Sequence, residues 1–288
     1  MAIIATRLTN TGNLLINGNL DEVTQATIST SADTIYATLF DEVSNTNSSI
    51  ARRDSANGTV QISGIFDEFT GAPIVDSSLT MWLDFGQAAS YPGSGSTVYD
   101  LSSTGSADIT LYNSPTFNTY DGGGAEYFNG TNQYGLGAGT PLGLTAYTKS
   151  FWVKLSSYSG NNNTVSSFNG GHFCFFATTN KIHCGHSNWP NYLAYPSNTT
   201  FSLDTWYHIG LSFDTVNGMK LFVNGSLDST FNVYLTQVPG TGQVDLACFN
   251  AGSNLLTGSM SQVMIYNRVL TGDEIYQNFN ALRRRYNL

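Results

Sequence analysis

The sequence predicts an all-β protein in which a small N-terminal β unit precedes a β-sandwich, with one short helix at the C-terminal end. Short apolar runs recur about every ten residues, each bounded by Gly, Asn or Pro, which is the spacing of a sandwich or jelly roll. Charged residues make up only 11% of the chain, so the charged pattern of surface helices is absent. Aromatic residues reach 13% and supply enough large side chains for a core.

The first 77 residues contain an internal repeat. Residues 12–24 and 58–70 both read as a short alternating strand, a Gly, and then two acids between hydrophobic residues, and residues 39–43 hold a shorter copy. Such a repeat predicts two or three strands built alike. A unit of this size buries too little apolar surface to be stable by itself. We therefore predict that residues 1–77 form an anchoring and assembly domain that packs on the following domain or on other chains.

The repeated hydrophobic and acidic positions are candidates for the assembly interface. They are Leu20, Asp21, Glu22, Phe40, Phe66, Asp67 and Glu68. Adjacent acids on a strand point to opposite faces, so one pair does not chelate an ion by itself. We interpret these acids as solvated or interface carboxylates, and a Ca²⁺ ion shared between copies is the alternative.

Residues 78–288 form the second predicted domain. A Gly and a Pro in residues 70–78 mark the join before it. Strands are predicted at residues 79–84, 109–112 and 150–155, where apolar residues alternate or run together between turn residues. The domain is therefore expected to be a sandwich of many short strands.

The clearest hairpin lies within residues 201–224. Two strand-like runs, residues 206–213 and 219–223, flank a turn that contains Asn217-Gly218. The Asn-Gly pair is the strongest short-range hairpin signal because both residues accept a positive φ. Alternation along the first run places the side chains of odd-numbered residues on one face and those of even-numbered residues on the other.

One helix is predicted at residues 273–285. Thr271 followed three residues later by Glu274 is a capping-box pattern. Ile275, Phe279 and Leu282 then share one helix face, which predicts that this face packs on the sandwich. Three arginines at residues 283–285 end the helix, where cations interact favourably with the helix dipole.

Charge and cysteine content exclude several classes of protein. The net charge is −9 and the only basic cluster is the three arginines near residue 284, so a nucleic-acid surface is not expected. Three cysteines with no recurring spacing imply no disulfide framework, which favours a reducing compartment. No run approaches the ~20 apolar residues of a membrane span, and the apolar start is too short for a signal peptide.

Histidines and cysteines are concentrated in one short region. The weak metal candidates are His172, Cys174, His183, Cys184 and His186. Imidazole and thiolate ligands in a hairpin could hold Zn²⁺. Alternation, however, puts His183 and Cys184 on opposite faces, and the neighbouring phenylalanines read as a plain core strand. The favoured interpretation is structural burial, and no metal site is predicted.

An aromatic segment follows at residues 187–200. Its carbohydrate-contact candidates are Trp189, Tyr192 and Tyr195. Aromatic rings on an ordered loop can stack on sugar rings. The alternative is that they pack on the base of the loop or on a neighbouring subunit.

An ordered set of motifs in residues 79–288 resembles laminin-G-like, concanavalin-A-like jelly-roll domains. The set includes Trp82-Leu83-Asp84, Asp100-Leu101-Ser102, Phe128-Asn129-Gly130, Phe151-Trp152-Val153, Trp206-Tyr207-His208, Val223-Asn224-Gly225 and residues 265–271. The resemblance implies a concanavalin-A-like sandwich. Members of this family often bind Ca²⁺, but amides stand in residues 128–134 where the family commonly has carboxylates, so Ca²⁺ is kept only as an alternative to no cofactor.

The fold class also includes β-glucanases. Those enzymes carry a Glu-x-Asp-x-x-Glu spacing that places two catalytic carboxylates on one strand face. The sequence has no such spacing, so we predict that the protein is not an enzyme.

The N-terminal unit, with Ala51-Arg52-Arg53 and Phe66-Asp67-Glu68, resembles the leader domain of structural proteins from tailed phages of the marine cyanophage type. The pairing of the two units implies a virion structural protein: a capsid decoration protein anchored by residues 1–77, made in the host cytoplasm and located on the virion surface. The alternative is a tail fibre or receptor-binding protein that recognises host glycans. The implied partners are the major capsid protein or tail components, further copies of the chain and a host surface glycan, but neither nucleic acid nor membrane.

Overall fold

The chain divides into two compact units, Met1–Pro73 and Ile74–Leu288. The computed structural model describes residues 74–138, 145–167, 171–188, 191–231 and 243–288, together with seven short strands before residue 74. The predicted interface candidates, Leu20, Asp21, Glu22, Phe40, Phe66, Asp67 and Glu68, lie outside the described residues. In the described part of the chain, no helix is long and apolar enough to cross a membrane.

The first unit consists of short antiparallel pairs. Its strands are β1 (Ile4–Leu8), β2 (Asn13–Asn17), β3 (Thr27–Ser29), β4 (Thr38–Leu39), β5 (Ser48–Ser49), β6 (Arg52–Arg53) and β7 (Thr59–Gln61). β1 pairs with β2, β4 pairs with β5, and β7 lies between β3 and β6. The two main copies of the repeat contribute β2 and β7, which pair with different partners and therefore do not form equivalent hairpins.

The second unit begins earlier than the sequence predicted. The Val75 N–H donates to Asn278 Oδ1 at 2.9 Å, and the Tyr266 hydroxyl donates to the Val75 carbonyl at 2.8 Å. Both bonds are buried and tie this segment to the end of the jelly roll. The boundary therefore lies after Pro73 and not after residue 77.

The second unit is a sandwich of short strands with one helix. Its strands are β8 (Leu79–Asp84), β9 (Thr97–Val98), β10 (Ile109–Tyr112), β11 (Thr116–Asn118), β12 (Ala125–Asn129), β13 (Tyr134–Ala138), β14 (Ala146–Leu155), β15 (Asn162–Asn163), β16 (Val165–Ser167), β17 (Phe173–Phe176), β18 (Ile182–Asn188), β19 (Asn191–Pro196), β20 (Trp206–Asp214), β21 (Gly218–Val223), β22 (Ser226–Phe231), β23 (Gln243–Leu246) and β24 (Thr257–Tyr266). The helix α1 spans Gly272–Leu282 and continues as a 3-10 turn over Arg283–Tyr286.

One layer of the sandwich is an eight-stranded sheet. Its order is β11-β12-β24-β14-β20-β21-β22, and β8 pairs with the second half of β24 beside β12. The long strands β14 and β24 form the centre of this sheet. All of its pairs are antiparallel, as the predicted jelly roll requires.

The opposite layer combines two smaller sheets, β16-β23-β13-β10-β9 and β15-β17-β18-β19. Thr164, between β15 and β16, joins them, because its N–H donates to the Cys174 carbonyl at 2.9 Å while its carbonyl accepts from the Ala247 N–H at 2.7 Å. The continuous segment of residues 162–167 thus pairs first with β17, through β15, and then with β23, through β16.

Alternation along the strands fills the space between the layers. On β20, Ile209, Leu211 and Phe213 are fully buried in the main core, while Trp206 packs on the outer face under the C-terminal helix. This assignment confirms the alternation predicted for the hairpin. The turn differs from the prediction, because Gly218 has a positive φ whereas Asn217 does not. The Asp214 carboxylate accepts the N–H groups of Val216 and Asn217.

The C-terminal helix covers the outer face of the eight-stranded sheet. Thr271 is the N-cap and forms both bonds of the predicted capping box with Glu274, at 2.8 and 3.2 Å. Phe279 and Tyr286 pack on Trp152, and the Tyr286 ring is stacked at 3.8 Å.

One of the three arginines after the helix also forms an ion pair with the sheet. Arg285 makes a bidentate ion pair with Asp84, with N–O distances of 2.9 and 3.0 Å. The Asp84 side chain is almost fully buried. This pair therefore fastens the end of the chain to β8.

A neighbouring loop contacts the edge strand β22 at Asp228. The Asp228 carboxylate accepts the Asn198 N–H at 2.7 Å and the Thr199 N–H at 2.9 Å. The Asn198 side-chain amide also donates to the Asp228 carbonyl at 2.7 Å. These bonds hold residues 198–199 against the last strand of the sheet.

Candidate functional site

A groove of about 340 Å³ lies on the outer face of the four-stranded sheet. Its described lining is Asn161, Asn163, Phe173, Phe175, Ala194, Phe249 and Asn254. The volume is at the lower end of the range for small-molecule sites. The groove combines an aromatic floor with an amide-rich rim.

The floor of the groove is built by alternation on β17. Cys174 and Phe176 point into the sandwich core, so Phe173 and Phe175 point outward. The Phe249 ring meets Phe173 edge-on at 6.3 Å, and Phe173 lies 5.8 Å from Phe175. Phe173 is buried, so the half-buried Phe175 and Phe249 rings form the accessible part of the floor.

Gly185 makes room for this floor on the adjacent strand. It pairs with Phe173, and a Cβ there would lie 3.1 Å from the Phe173 ring and 1.7 Å from the Leu193 carbonyl oxygen. Only a residue without a side chain fits between β17 and β19 at this point.

Asparagine side chains form the rim. Asn163 is buried, and its amide donates to the Asn254 carbonyl at 3.2 Å, which fixes the loop that carries Phe249. Asn161 and Asn254 are exposed. Amide groups offer both donors and acceptors, so the rim can exchange hydrogen bonds with hydroxyl groups of either role.

The groove carries little charge. No charged residue is among its described lining residues. His183 stacks on Phe175 at 5.2 Å, and its pKa is lowered by burial and by the nearby Lys181 charge. The imidazole is therefore neutral near pH 7, and the site is a neutral aromatic surface with amide donors.

A polar cluster lies behind the groove, inside the sandwich. The Tyr147 hydroxyl and His186 Nε2 are 2.6 Å apart, and Lys149 donates to the Val165 carbonyl at 2.7 Å. Burial lowers the pKa of Lys149 to about 8. Burial, together with the Lys149 charge, lowers the pKa of His186 to about 3. These groups are fully buried and do not reach a ligand in the groove.

The predicted carbohydrate-contact residues have different placements. Trp189 lies outside the described residues, and for Tyr192 only the strand position in β19 is described. Tyr195 packs against the main core and stacks on Phe231 at 5.1 Å. For Tyr195 the structure thus gives packing, the alternative that the sequence analysis had left open.

The weak metal candidates divide between two faces. His172, Cys174, Cys184 and His186 are buried, whereas His183 is half-buried and stacks on Phe175 on the opposite face of the sheet. Across the described ranges, no group of three or more His, Cys, Asp or Glu side chains is arranged to hold a metal ion.

The loop considered for Ca²⁺ is closed by its own hydrogen bonds. Asn129 Oδ1 accepts the N–H groups of Thr131 and Asn132 at 2.9 and 3.2 Å. Asn132 Oδ1 accepts from the Asn129 amide at 3.0 Å. The amide oxygens that would ligate an ion therefore already serve the turn.

Sequence reasoning missed the groove residues. The segment containing Phe173 and Phe175 was interpreted as a core strand; Phe173, Cys174 and Phe176 are buried, and only the half-buried Phe175 departs from that interpretation. The available signal was the alternation itself, which places two phenylalanines on the face opposite the core. Phe249 carried no signal, because a turn brings it to the groove.

The sequence of residues 128–276, just over half of the chain, matches the family model described as the concanavalin A-like lectin/glucanases superfamily. The chain belongs to this superfamily. No curated protein sequence is similar enough to count as a relative of this member.

Solved structures share the fold of this superfamily member at low sequence identity. A botulinum neurotoxin type C structure has a TM-score of 0.58 at 14% identity, covering 72% of this chain and 52% of that chain. Cell entry of that toxin depends on interaction with two ganglioside molecules. The botulinum neurotoxin type G receptor-binding domain has a TM-score of 0.53 at 16% identity, covering 70% of this chain and 51% of that chain.

A sialidase gives a similar result. Trypanosoma rangeli sialidase in complex with 2,3-difluorosialic acid matches with a TM-score of 0.56 at 14% identity, covering 77% of this chain and 37% of that chain. This chain thus spans about half or less of the length of these neighbours. At these identities the likeness concerns the fold alone.

Proposed function

We propose that the jelly roll binds carbohydrate in the groove between Phe249, Phe175 and the asparagine rim. The observation that carries the proposal is the pairing of the half-buried Phe175 and Phe249 rings with the exposed amides of Asn161 and Asn254 in one groove. Sugar rings present apolar C–H faces and equatorial hydroxyl groups, which match these two surfaces. Membership of the concanavalin A-like lectin/glucanases superfamily supports this proposal.

The preferred ligand is a neutral glycan. The described lining contains no cation that would pair with a carboxylate sugar, and the chain carries a net charge of −9. An acidic sugar would therefore be repelled at long range and would find no partner at short range. Neutral hexoses meet neither penalty.

A glycan array of neutral and sialylated oligosaccharides tests this proposal, followed by calorimetric titration of the best neutral ligand. Phe175→Ala and Asn161→Ala should each weaken binding, the phenylalanine variant by at least about tenfold. Tyr120→Ala is the matched control, because Tyr120 is 97% exposed and lies outside the groove lining.

Unchanged affinity in both groove variants would refute the site, and equal loss in the Tyr120 variant would show a nonspecific effect. Binding confined to sialylated glycans would refute the neutral preference. Thermal melts of each variant separate loss of binding from loss of fold.

The proposed activity is binding without catalysis. The sequence lacks the paired-carboxylate spacing of the glucanases, and no carboxylate is among the described groove residues. A glycan that binds should therefore be recovered intact after prolonged incubation. Release of new reducing ends by the wild-type protein, lost in Phe175→Ala, would contradict this part of the proposal.

We further propose that the protein is a structural component of a tailed-phage virion, most simply a capsid decoration protein that displays the jelly roll on the particle surface. Its partners would be the major capsid protein and further copies of the chain, and it would be made in the host cytoplasm. The division into two compact units, with the groove on the second, supports an anchor-and-display arrangement. A tail fibre that recognises host glycans is the alternative.

Quantitative protein analysis of purified virions separates these locations. Hundreds of copies per particle are expected for capsid decoration, and a handful would indicate the tail. Absence from purified particles would refute the virion role but would leave the glycan-binding test unaffected.

A further inference from the structure

Cys174 and Cys184 face each other across two neighbouring strands. They are direct partners in the β17–β18 ladder, and both side chains point into the sandwich core. Their Sγ atoms are 2.7 Å apart and both residues are free thiols. The pair sits behind the groove, on the opposite face of the same two strands.

The backbone geometry of this pair suits a covalent bond. The Cys174 carbonyl accepts from Thr164 on the other side of β17, so Cys174 and Cys184 form a non-hydrogen-bonded pair. Such pairs have Cα atoms about 4.5 Å apart, which is within the range of about 4.4–6.8 Å that disulfides span. No backbone movement is needed to join the two sulfurs.

The surroundings do not offer the pair another role. The two thiols belong to no metal-ligand group among the described residues. Cys248, the third cysteine, is buried but is not paired with either of them.

We propose that Cys174 and Cys184 form an oxidisable pair that becomes a cross-strand disulfide when the chain folds in the presence of a small-molecule disulfide. One thiolate attacks the oxidant, releases one small thiol and forms a mixed disulfide. The second thiolate then displaces the other small thiol and closes the protein disulfide. Two protein thiols are oxidised and one small disulfide is reduced to two thiols, so electrons and protons balance.

The folded protein protects either state of the pair. Burial raises the pKa of the Cys184 thiol well above its ordinary value, and the Lys149 charge opposes this effect only in part. The thiolate is the reactive species, so the folded dithiol reacts slowly. Bond formation is therefore expected during folding, while the strands are still accessible.

Once formed, the bond would fix the spacing of the strands that carry the groove floor. Phe173 and Phe175 flank Cys174 on β17, and His183 and Gly185 flank Cys184 on β18. The closed loop is short, so it constrains the unfolded chain moderately. This inference concerns only the cysteine pair and stands independently of sugar binding.

The test is refolding of the full-length chain from denaturant, with either reduced or oxidised glutathione, followed by alkylation in denaturant and intact mass measurement. The reduced sample should carry three alkyl groups, matching the three cysteines. The oxidised sample should carry one, and peptide mapping should place it on Cys248. The oxidised protein should melt on the order of 5 °C higher.

Serine variants identify the pair. Cys248→Ser is the matched control and should still lose both remaining thiols on oxidation. Cys174→Ser and Cys184→Ser should each form no intramolecular disulfide, so that after oxidative refolding each remaining cysteine carries either an alkyl group or one glutathione, which the intact mass distinguishes. Three alkyl groups after oxidative refolding, or a crosslink that includes Cys248, would overturn the proposal. If Cys174→Ser does not fold, the peptide map of the oxidised wild-type chain decides alone.

Discussion

Glu126 is the most informative site for a stability measurement. Its carboxylate is fully buried on β12, and neither oxygen has a hydrogen-bond partner within the part of the chain that the structure describes. Burial raises its pKa from 4.5 to about 7, and the nearby Tyr91 hydroxyl opposes this effect. The charged form is thus disfavoured in the folded protein.

The sign and size of the effect follow from linkage. Between pH 4.5 and 7 the folded protein holds a proton on Glu126 that the unfolded chain has released, so stability falls as pH rises through this window. Each pKa unit corresponds to about 1.4 kcal/mol, which gives a loss of about 3 kcal/mol by pH 8. Glu126→Gln removes this loss because the amide does not ionise.

Urea unfolding of the wild type and the variant at pH 5 and pH 8, followed by tryptophan fluorescence, measures this difference. Glu126→Gln should gain about 2.5 kcal/mol relative to the wild type between the two pH values, because part of the loss has already occurred by pH 5. The buried histidines have lowered pKa values and give the opposite slope below pH 6.5, but they contribute equally to both proteins. Their contribution cancels in the comparison.

Glu274→Gln is the matched control. Its pKa is lowered to about 2, chiefly by the Arg268 ion pair, so both the folded and the unfolded chain are ionised at pH 5 and above. Its stability difference from the wild type should therefore not change between pH 5 and pH 8. If Glu126→Gln behaves in the same way, the Glu126 carboxyl does not titrate in this window and the reasoning is wrong.

Two further predictions concern the C-terminal helix. Thr271→Ala should lower the free energy of unfolding by about 1 kcal/mol, because the capping bond to the Glu274 N–H is lost; Thr271→Ser should restore most of it in the same urea titration. Arg285→Met should cost about 3 kcal/mol, because Asp84 is left as a buried charge without its ion pair. Replacing Asp84 by Asn in the same chain should recover part of this loss, and a double-mutant cycle with no coupling would contradict the ion pair.

Local patterns in the sequence were sufficient to predict the sandwich and its helix. Alternation along residues 206–213 assigned each side chain to its correct face, since one face of the strand is in the core and the other lies under the helix. The capping box at Thr271 correctly predicted the start of α1. Both signals are local, since each involves residues only a few positions apart in the sequence.

The groove and the cysteine pair depend on long-range contacts, which single-sequence patterns do not specify. Phe249 reaches the floor only because β23 lies next to β16, and β16 continues the strand that pairs with β17. Likewise, the spacing of Cys174 and Cys184 indicates a bridge only when the register of β17 and β18 is known. The odd number of cysteines indicated no disulfide framework, although two of the three are cross-strand neighbours.

The bonds from Asp228 to the loop at residues 198–199 also affect how the protein behaves at high concentration. An uncovered outermost strand offers free N–H and C=O groups to any other polypeptide and can start open-ended polymerisation. The loop occupies one position on that edge of the eight-stranded sheet, where the Asp228 carbonyl already accepts from the Asn198 amide. This contact makes it harder for the strand of another copy to pair with β22 at Asp228 when many copies are crowded together.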